Sequence, residues 1–485
     1  MFAPRCVDDR RSRARDDKTR TESAYDPTTY EPLTFHDAAE RFRLGEDSPS
    51  DYLERCLATV EKREPAVQAF AHLNPVLARE SAAASSQRWA TGNPLSPIDG
   101  MPIGIKDLLE TKDMPTEFGC EAWRGNFPNR DNAAVWALRQ AGAVILGKTV
   151  TAELGGSHPG PTTNPFDPTR SPGGSSSGSA AAVAARMLPA AIGSQVGGSI
   201  IRPAGYCGNV ALKPSQGGIN RGERQATSMS THGVHAGCIE DMWQVAIEIV
   251  KRAGGDRGWP GIQGPETTPA PHKPARLIVL ETEGWANLDE SSKQGFAALL
   301  DQLRDQGVET LGRRDSRLVE SLECAIADAG RVCNSITNWE NRWATRNLVD
   351  LHPEGVSERA RAALAHAESM SVDDYRAALL ARDLAQQAHA AVAAAADAII
   401  TLSCPGPAHV WLGDQPGEPL APLPTGSPVF NFPSSMLFAP AVTMPLISVG
   451  RMPVGVQVFG QQGQDAAMTS IARWMLESVS PVVIA

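Results

Sequence analysis

Ser171-Pro-Gly-Gly-Ser-Ser-Ser-Gly-Ser179, followed a short way downstream by Gly193-Ser-Gln-Val-Gly-Gly-Ser199, is the stretch whose reading decides the fold. A Ser/Gly run of this composition serves in many chains as a flexible linker. Two features oppose that here. The run lies between patterned segments, not between domains, and it leads straight into a small-residue helix, Ser179–Arg186, and a short strand, Ala190–Val196. Glycine is needed where a backbone approaches a ligand closely or takes positive φ, and serine hydroxyls act as nucleophiles or relays. The run therefore reads as a loop-built site.

Upstream, the apolar runs Met101–Leu109 and Ala143–Lys148 flank a helical stretch, Asp131–Ala141, which is a strand–helix–strand rhythm. Before them, three amphipathic helices are expected at Thr34–Arg43, Ser50–Glu64 and Asn74–Ala90. Downstream, the alternation resumes with a strand at Ala275–Glu281 and a helix at Glu290–Arg304, after a Pro/Gly-rich connection over Gly254–Pro274. Ser316–Gln387 is mostly helical, and the chain closes with a strand, Pro453–Phe459, and a helix, Asp465–Glu477. No internal repeat is present. The pattern predicts an α/β protein, a single large domain with a mixed central sheet surrounded by helices, over residues 31–485. Residues 1–30 read as a polar, solvated tail, because the charges are mixed and no apolar core of a secretory signal precedes them.

The chain has 485 residues, with 45 Lys+Arg against 55 Asp+Glu and a net charge of −10. Lacking a dominant basic face, it is not expected to bind nucleic acid, whose affinity needs clustered cations. No uninterrupted apolar run is long enough for a membrane span, so no membrane partner is expected. Eight cysteines without a C-x-x-C pair favour a reducing, cytoplasmic compartment.

Two clusters could carry chemistry. Gly174-Ser-Ser-Ser-Gly178 satisfies G-x-S-x-G around Ser176, but a hydrolase elbow needs a buried strand before it. Asn164–Pro172 holds three prolines and cannot be that strand. In Pro102-Ile-Gly-Ile-Lys106-Asp107, a lysine ends an apolar strand. It is either an edge residue that snorkels or a buried amine whose pKa falls far enough to make it a base.

Gly104-Ile-Lys106-Asp107, Asn164-Pro-Phe-Asp-Pro168, Pro172-Gly-Gly-Ser-Ser176 and Gly197-Gly-Ser-Ile200 with Pro203 closely resemble the amidase signature family in order and spacing. Cys207-Gly-Asn-Val-Ala-Leu-Lys-Pro214 and Pro453-Val-Gly-Val-Gln457 fit the same pattern, so the resemblance covers roughly Thr34 to Glu477. It implies a Ser–cisSer–Lys hydrolase with Ser199 as nucleophile, Ser175 as bridging serine after a cis peptide, and Lys106 as base. It also implies an oxyanion hole from the N–H groups of Val196, Gly197, Gly198 and Ser199. An unassisted serine is a poor nucleophile, and a neutral lysine acting through a second hydroxyl is a coherent way to take and return its proton. The chain departs from the commonest pattern at two positions. Gln195 stands where Asp is usual, and Ile201 then Arg202 stand where the Arg usually comes one residue earlier. This leaves open what those side chains hold.

The expected activity is hydrolysis of a small amide, anilide or related acyl or carbamoyl C–N bond, without cofactor or metal, on a small-molecule substrate; a homo-oligomer is allowed. A glutamine-hydrolysing subunit of a transfer-RNA-dependent amidotransferase shares the same residues and remains an alternative, as does an inactive amidase fold used as an interaction module. His232-x-x-His235-x-x-Cys238 has ligand-type residues at spacing three, yet no fourth ligand pair accompanies it. It reads as an ordinary loop before a helix, Ile239–Lys251. Cys207 reads as a buried small hydrophobe. The substrate itself is not encoded legibly; the resemblance implies that specificity comes from a variable helical insertion, here about Ser316 to Leu402, and from Gly155–Pro161.

Overall fold

The computed structural model describes residues 24–222, 227–415 and 417–485. Among them the alternation of strand and helix builds one twelve-stranded mixed sheet covered by helices. The strands are β1 (Phe70–Leu73), β2 (Pro102–Lys106), β3 (Val144–Thr149), β4 (Ala190–Gln195), β5 (Val210–Lys213), β6 (Thr231–Ala236), β7 (Arg276–Val279), β8 (Glu309–Leu311), β9 (Ala398–Leu402), β10 (Ala441–Val449), β11 (Met452–Phe459) and β12 (Val482–Ile484). Their spatial order is β1-β3-β2-β4-β6-β5-β10-β11-β9-β7-β8, with β12 beside β10. Strand β2 pairs in parallel with both β3 and β4. All three are buried along their whole length. A parallel strand covered on both faces must be apolar almost throughout, which is why 101–105 and 143–146 carry no polar alternation.

The first helices are α1 (His36–Leu44), α2 (Pro49–Val67), α3 (Pro75–Ala90) and α4 (Ala133–Gln140). Local chemistry starts them where the sequence signals. Ser48 accepts the Asp51 N–H before Pro49, and Asn74 accepts the Leu77 N–H before Pro75. Helix α5 (Ser177–Ala184) is wholly buried, and its small residues have a steric cause. A Cβ on Gly178 would stand 2.1 Å from the Ala69 carbonyl oxygen. The chain continues through α6 (Ile201–Cys207), α7 (Ile239–Ala253) and α8 (Glu290–Asp305). Helix α7 buries Ile239, Met242, Trp243, Val245, Ala246 and Ile249 along one face, each large side chain contributing about 1.5–3 kcal/mol. The expected helical region after residue 316 consists of α9 (Arg317–Ile326), α10 (Ala329–Leu351), α11 (Glu358–Ser369) and α12 (Val372–Ala391). Helices α13 (Phe432–Met436) and α14 (Asp465–Ser478) complete the shell.

Two expectations are corrected. Residues 1–23 of the expected tail lie outside the described residues, but 24–30 pack against the domain. The Tyr25 N–H donates to the Arg451 carbonyl, its ring meets Phe166 edge-on at 4.9 Å, and the Tyr30 hydroxyl donates to the Ala184 carbonyl. The packed chain therefore begins before residue 30. The segment read as a loop at 232–236 is strand β6, buried between β4 and β5. Its two histidines and Gly233 disguise it. A Cβ on Gly233 would lie 2.2 Å from the Leu212 carbonyl oxygen, so close strand approach requires glycine there.

Candidate active site

Lys106 ends β2 and Gln195 ends β4, so the two parallel strands deliver their last residues to the same edge of the sheet. Carboxyl ends of parallel strands are where α/β folds build ligand sites. Two turns close over that edge: Ser171–Ser176 leading into α5, and Val196–Ile200 leading into α6. The Ser176 N–H donates to the Ser199 carbonyl, tying the turns together. The peptide between Gly174 and Ser175 is cis, as the family resemblance implied.

The Lys106 side chain is fully buried. Its Nζ lies 2.7 Å from Ser175 Oγ, 3.1 Å from Ser194 Oγ and 3.3 Å from the Ser194 carbonyl oxygen. All three neighbours are uncharged oxygens. Asp107, next in sequence, turns away to receive a hydrogen bond from Lys148 Nζ at 2.9 Å, and Lys148 also donates to Thr116 Oγ1. Among the described residues the Lys106 amine thus has no carboxylate partner. Burial pushes its pKa well below the usual lysine value, and the positive charge of Arg202 pushes it further the same way. A neutral amine satisfies the three contacts directly: two N–H groups donate to the Ser194 oxygens, and the lone pair accepts the Ser175 hydroxyl proton.

Ser199 is half-buried, whereas Ser175 is buried. The Ser199 hydroxyl has no hydrogen-bond partner among the described residues. The N–H groups of Val196, Gly197, Gly198 and Ser199 likewise donate to no acceptor there. Four free donors on one tight turn form a cradle for an anion. The turn admits only glycine at its centre: a Cβ on Gly198 would lie 2.5 Å from Asn431 Oδ1.

The two departures from the commonest pattern find partners. Gln195 Oε1 accepts the Ile200 and Ile201 N–H groups at 2.8 and 3.0 Å, and its Nε2 donates to Ser435 Oγ. Ser435 in turn donates to the Gly197 carbonyl. Gln195 therefore caps α6 and pins both ends of the Ser199 turn. Arg202 is also buried; it donates to the carbonyls of Gly174 and Thr425, and burial pushes its pKa down to about 10. It holds the Ser175 turn from behind. Gln195→Ala leaves two buried N–H groups unpaired and should destabilise the fold by about 2 kcal/mol while lowering kcat. Urea unfolding beside steady-state rates checks this; an unchanged midpoint and rate would show the cap to be dispensable.

Several expected side chains stand elsewhere or do other work. Ser176 Oγ donates to the Ser194 carbonyl and accepts the Ser194 N–H, stitching the loop to β4, so the elbow reading fails. Cys207 is buried, its thiol pushed up by burial, and donates to the Pro172 carbonyl. His232 and His235 sit three apart on β6, hence on opposite faces, and Cys238 lies past the strand end. Burial holds both imidazoles neutral, pushing their pKa values down to about 3. The structure does not bring these three residues together as ligands. Sequence reading missed Ser194, although it lies inside the quoted Gly193–Ser199 run. It also missed Asn431, Phe432 and Ser435, which reach the Ser199 turn from α13 and the residue before it with no local signal.

The amidase family model matches residues 51–468. A glutamyl-tRNA(Gln) amidotransferase subunit from Geobacter metallireducens is 30% identical over 464 residues, covering 88% of this chain and 93% of that one. The same-named protein of Chloroflexus aurantiacus is 42% identical over 195 residues, a match that spans 39% of this chain and 40% of the relative. A crystal structure of an amidase superposes with a TM-score of 0.78 at 27% identity, covering 92% of this chain and 99% of the other. The chain belongs to the amidase signature family. It is an amidohydrolase, an enzyme that cleaves carbon–nitrogen bonds.

Proposed function

We propose that the chain is a free-standing amidase that hydrolyses a small amide, anilide or related acyl or carbamoyl C–N bond through a seryl acyl-enzyme. Neutral Lys106 accepts the Ser175 hydroxyl proton as Ser175 accepts that of Ser199, and Ser199 Oγ attacks the carbonyl carbon. The developing oxyanion takes the free N–H groups of the 196–199 turn, each such donor worth roughly 3 kcal/mol in the transition state. The proton returns along the same path to the leaving nitrogen. The C–N bond breaks to leave the acyl group on Ser199, which water then releases by the reverse relay. No metal or cofactor enters these steps. The observation that carries the reading is the buried Lys106 amine, hydrogen-bonded to Ser175 and without a carboxylate partner among the described residues. The reading includes a cytoplasmic location, supported by the seven described cysteines all being free thiols. Among the described residues no helix is long and apolar enough to cross a membrane.

A second reading, a glutamine-hydrolysing component of an amidotransferase, is favoured by the names of the Geobacter and Chloroflexus relatives. An inactive interaction module is disfavoured because Lys106, Ser175 and Ser199 are all retained. Assay of the purified full chain against aliphatic amides, anilides, carbamates and hydrazides, without partner proteins, separates the readings. Turnover of at least one class supports the free amidase. Glutamine hydrolysis that appears only with partner proteins contradicts it.

A further inference from the structure

In sequence Cys238 groups with the two histidines upstream of it, yet the fold gives it a different neighbour. His36, the first residue of α1, comes from 202 positions away to place its Nδ1 3.4 Å from Cys238 Sγ at the N-terminus of α7. Glu240, in the first turn of α7, brings a carboxylate oxygen so that all three ligand atoms lie within 4.8 Å of one another. A tetrahedral zinc ion with its usual bond lengths holds sulfur and nitrogen roughly 3.5 Å apart, close to the separation already present.

The surroundings suit a metal. The other imidazole nitrogen, Nε2, sits 3.2 Å from Asp37 Oδ1. A carboxylate near the far ring nitrogen is a common companion of metal-bound histidines. Asp241 Oδ2 accepts the Phe35 N–H and its Oδ1 the His36 N–H, so the backbone bearing His36 is anchored to α7 before any ion arrives. One Glu240 oxygen lies 3.4 Å from Arg473, which orients the carboxylate and leaves the second oxygen available. Beside the group opens a cleft of about 550 Å³ lined by His36, Trp89, Pro97, Glu240, Gln244 and Thr267.

We propose that His36 Nδ1, the Cys238 thiolate and the Glu240 carboxylate hold one zinc-class divalent cation that staples α1 to α7, with its fourth position open to this cleft. Thiolate, imidazole and carboxylate together select a borderline ion such as Zn²⁺ or Co²⁺ over Mg²⁺ or Ca²⁺, which prefer all-oxygen shells. Binding displaces the Cys238 thiol proton to solvent, and the thiolate and Glu240 charges offset the ion's two positive charges. The site is not part of the hydrolytic machinery. Strand β6 runs antiparallel to β4, so Cys238 emerges at the opposite end of the sheet from Ser199. The separation is about 20 Å, one strand length.

The test is titration of the metal-stripped full chain with Co²⁺, followed by absorbance and equilibrium dialysis. One equivalent should bind, with tetrahedral d–d bands and a sulfur-to-cobalt charge-transfer band, and Zn²⁺ should displace it. Cys238→Ser should abolish the charge-transfer band, and Cys238→Ser and His36→Ala should each weaken binding at least ~10-fold. Zn²⁺ should raise the Tm of the wild type and leave a His36→Ala/Cys238→Ser double variant unmoved. Absence of the charge-transfer band in the wild type overturns the proposal, as does its survival in Cys238→Ser. Transfer of the binding defect to His232→Ala or His235→Ala, with His36→Ala binding normally, overturns it as well.

Discussion

Lys106→Ala will lower kcat by at least ~10²-fold, the floor for losing a positioned base, and Lys106→Arg will be nearly as damaging. The guanidinium keeps the charge but cannot give it up at working pH, so the pair separates a base from a mere cation. The physical ground is the environment of the amine. Its contacts are Ser175 Oγ, Ser194 Oγ and the Ser194 carbonyl, and the one adjacent carboxylate, Asp107, is spent on Lys148. Burial and the nearby Arg202 both lower its pKa from 10.5, so the neutral, proton-accepting form becomes populated at lower pH than for an exposed lysine. The sign of the pH dependence follows. Activity should climb as pH rises through the folded-state pKa and level off well below 10.5. A kcat/KM profile for wild type and both variants checks this. A Lys106→Arg enzyme at near wild-type rate would mean the position supplies only charge.

Ser199→Ala should cost more, at least about 10⁴-fold in kcat, because Ser199 carries a half-buried hydroxyl on the turn of free N–H donors, whereas Ser175 and Ser194 are buried. Substrate binding should change far less than kcat, since the turn that carries Ser199 is pinned by Gln195 and Ser435, not by the serine side chain. Single-turnover and steady-state kinetics read the split. A Ser199→Ala chain that retains the wild-type kcat contradicts the assignment.

The legible part of the site was the part built from contiguous motifs. Lys106 could be placed because an apolar run of the parallel-strand type precedes it; that Asp107 is spent on Lys148 appears only in the fold. The Ser175 and Ser199 turns could be placed because their glycine and serine clusters stand between patterned segments and matched a family order. What escaped were elements whose cause is tertiary. Strand β6 is held by neighbours on both sides, not by its own His- and Gly-containing sequence. Strand β10 carries Pro445, which is accommodated where the register with β11 shifts between Met444 and Ile447. Read alone, that proline argues against a central strand. Gln195 showed its function only when α6 presented two N–H groups to it and α13 supplied Ser435. Likewise, nothing near Cys238 in sequence points to His36; α1 must first fold back against α7. Tyr25 and Tyr30 were hidden by the charges around them, although two aromatic rings five residues apart were enough to dock on Phe166.

The central claim is that Ser199 is the residue that becomes acylated, activated through Ser175 by Lys106. It is tested most directly by treating the full chain with a fluorophosphonate and locating the adduct by intact mass and peptide mapping. The account predicts one adduct per chain, on the peptide bearing Ser199, formed more slowly in Lys106→Ala and absent in Ser199→Ala. An adduct on a different residue, or labelling that persists unchanged in Ser199→Ala, would contradict it.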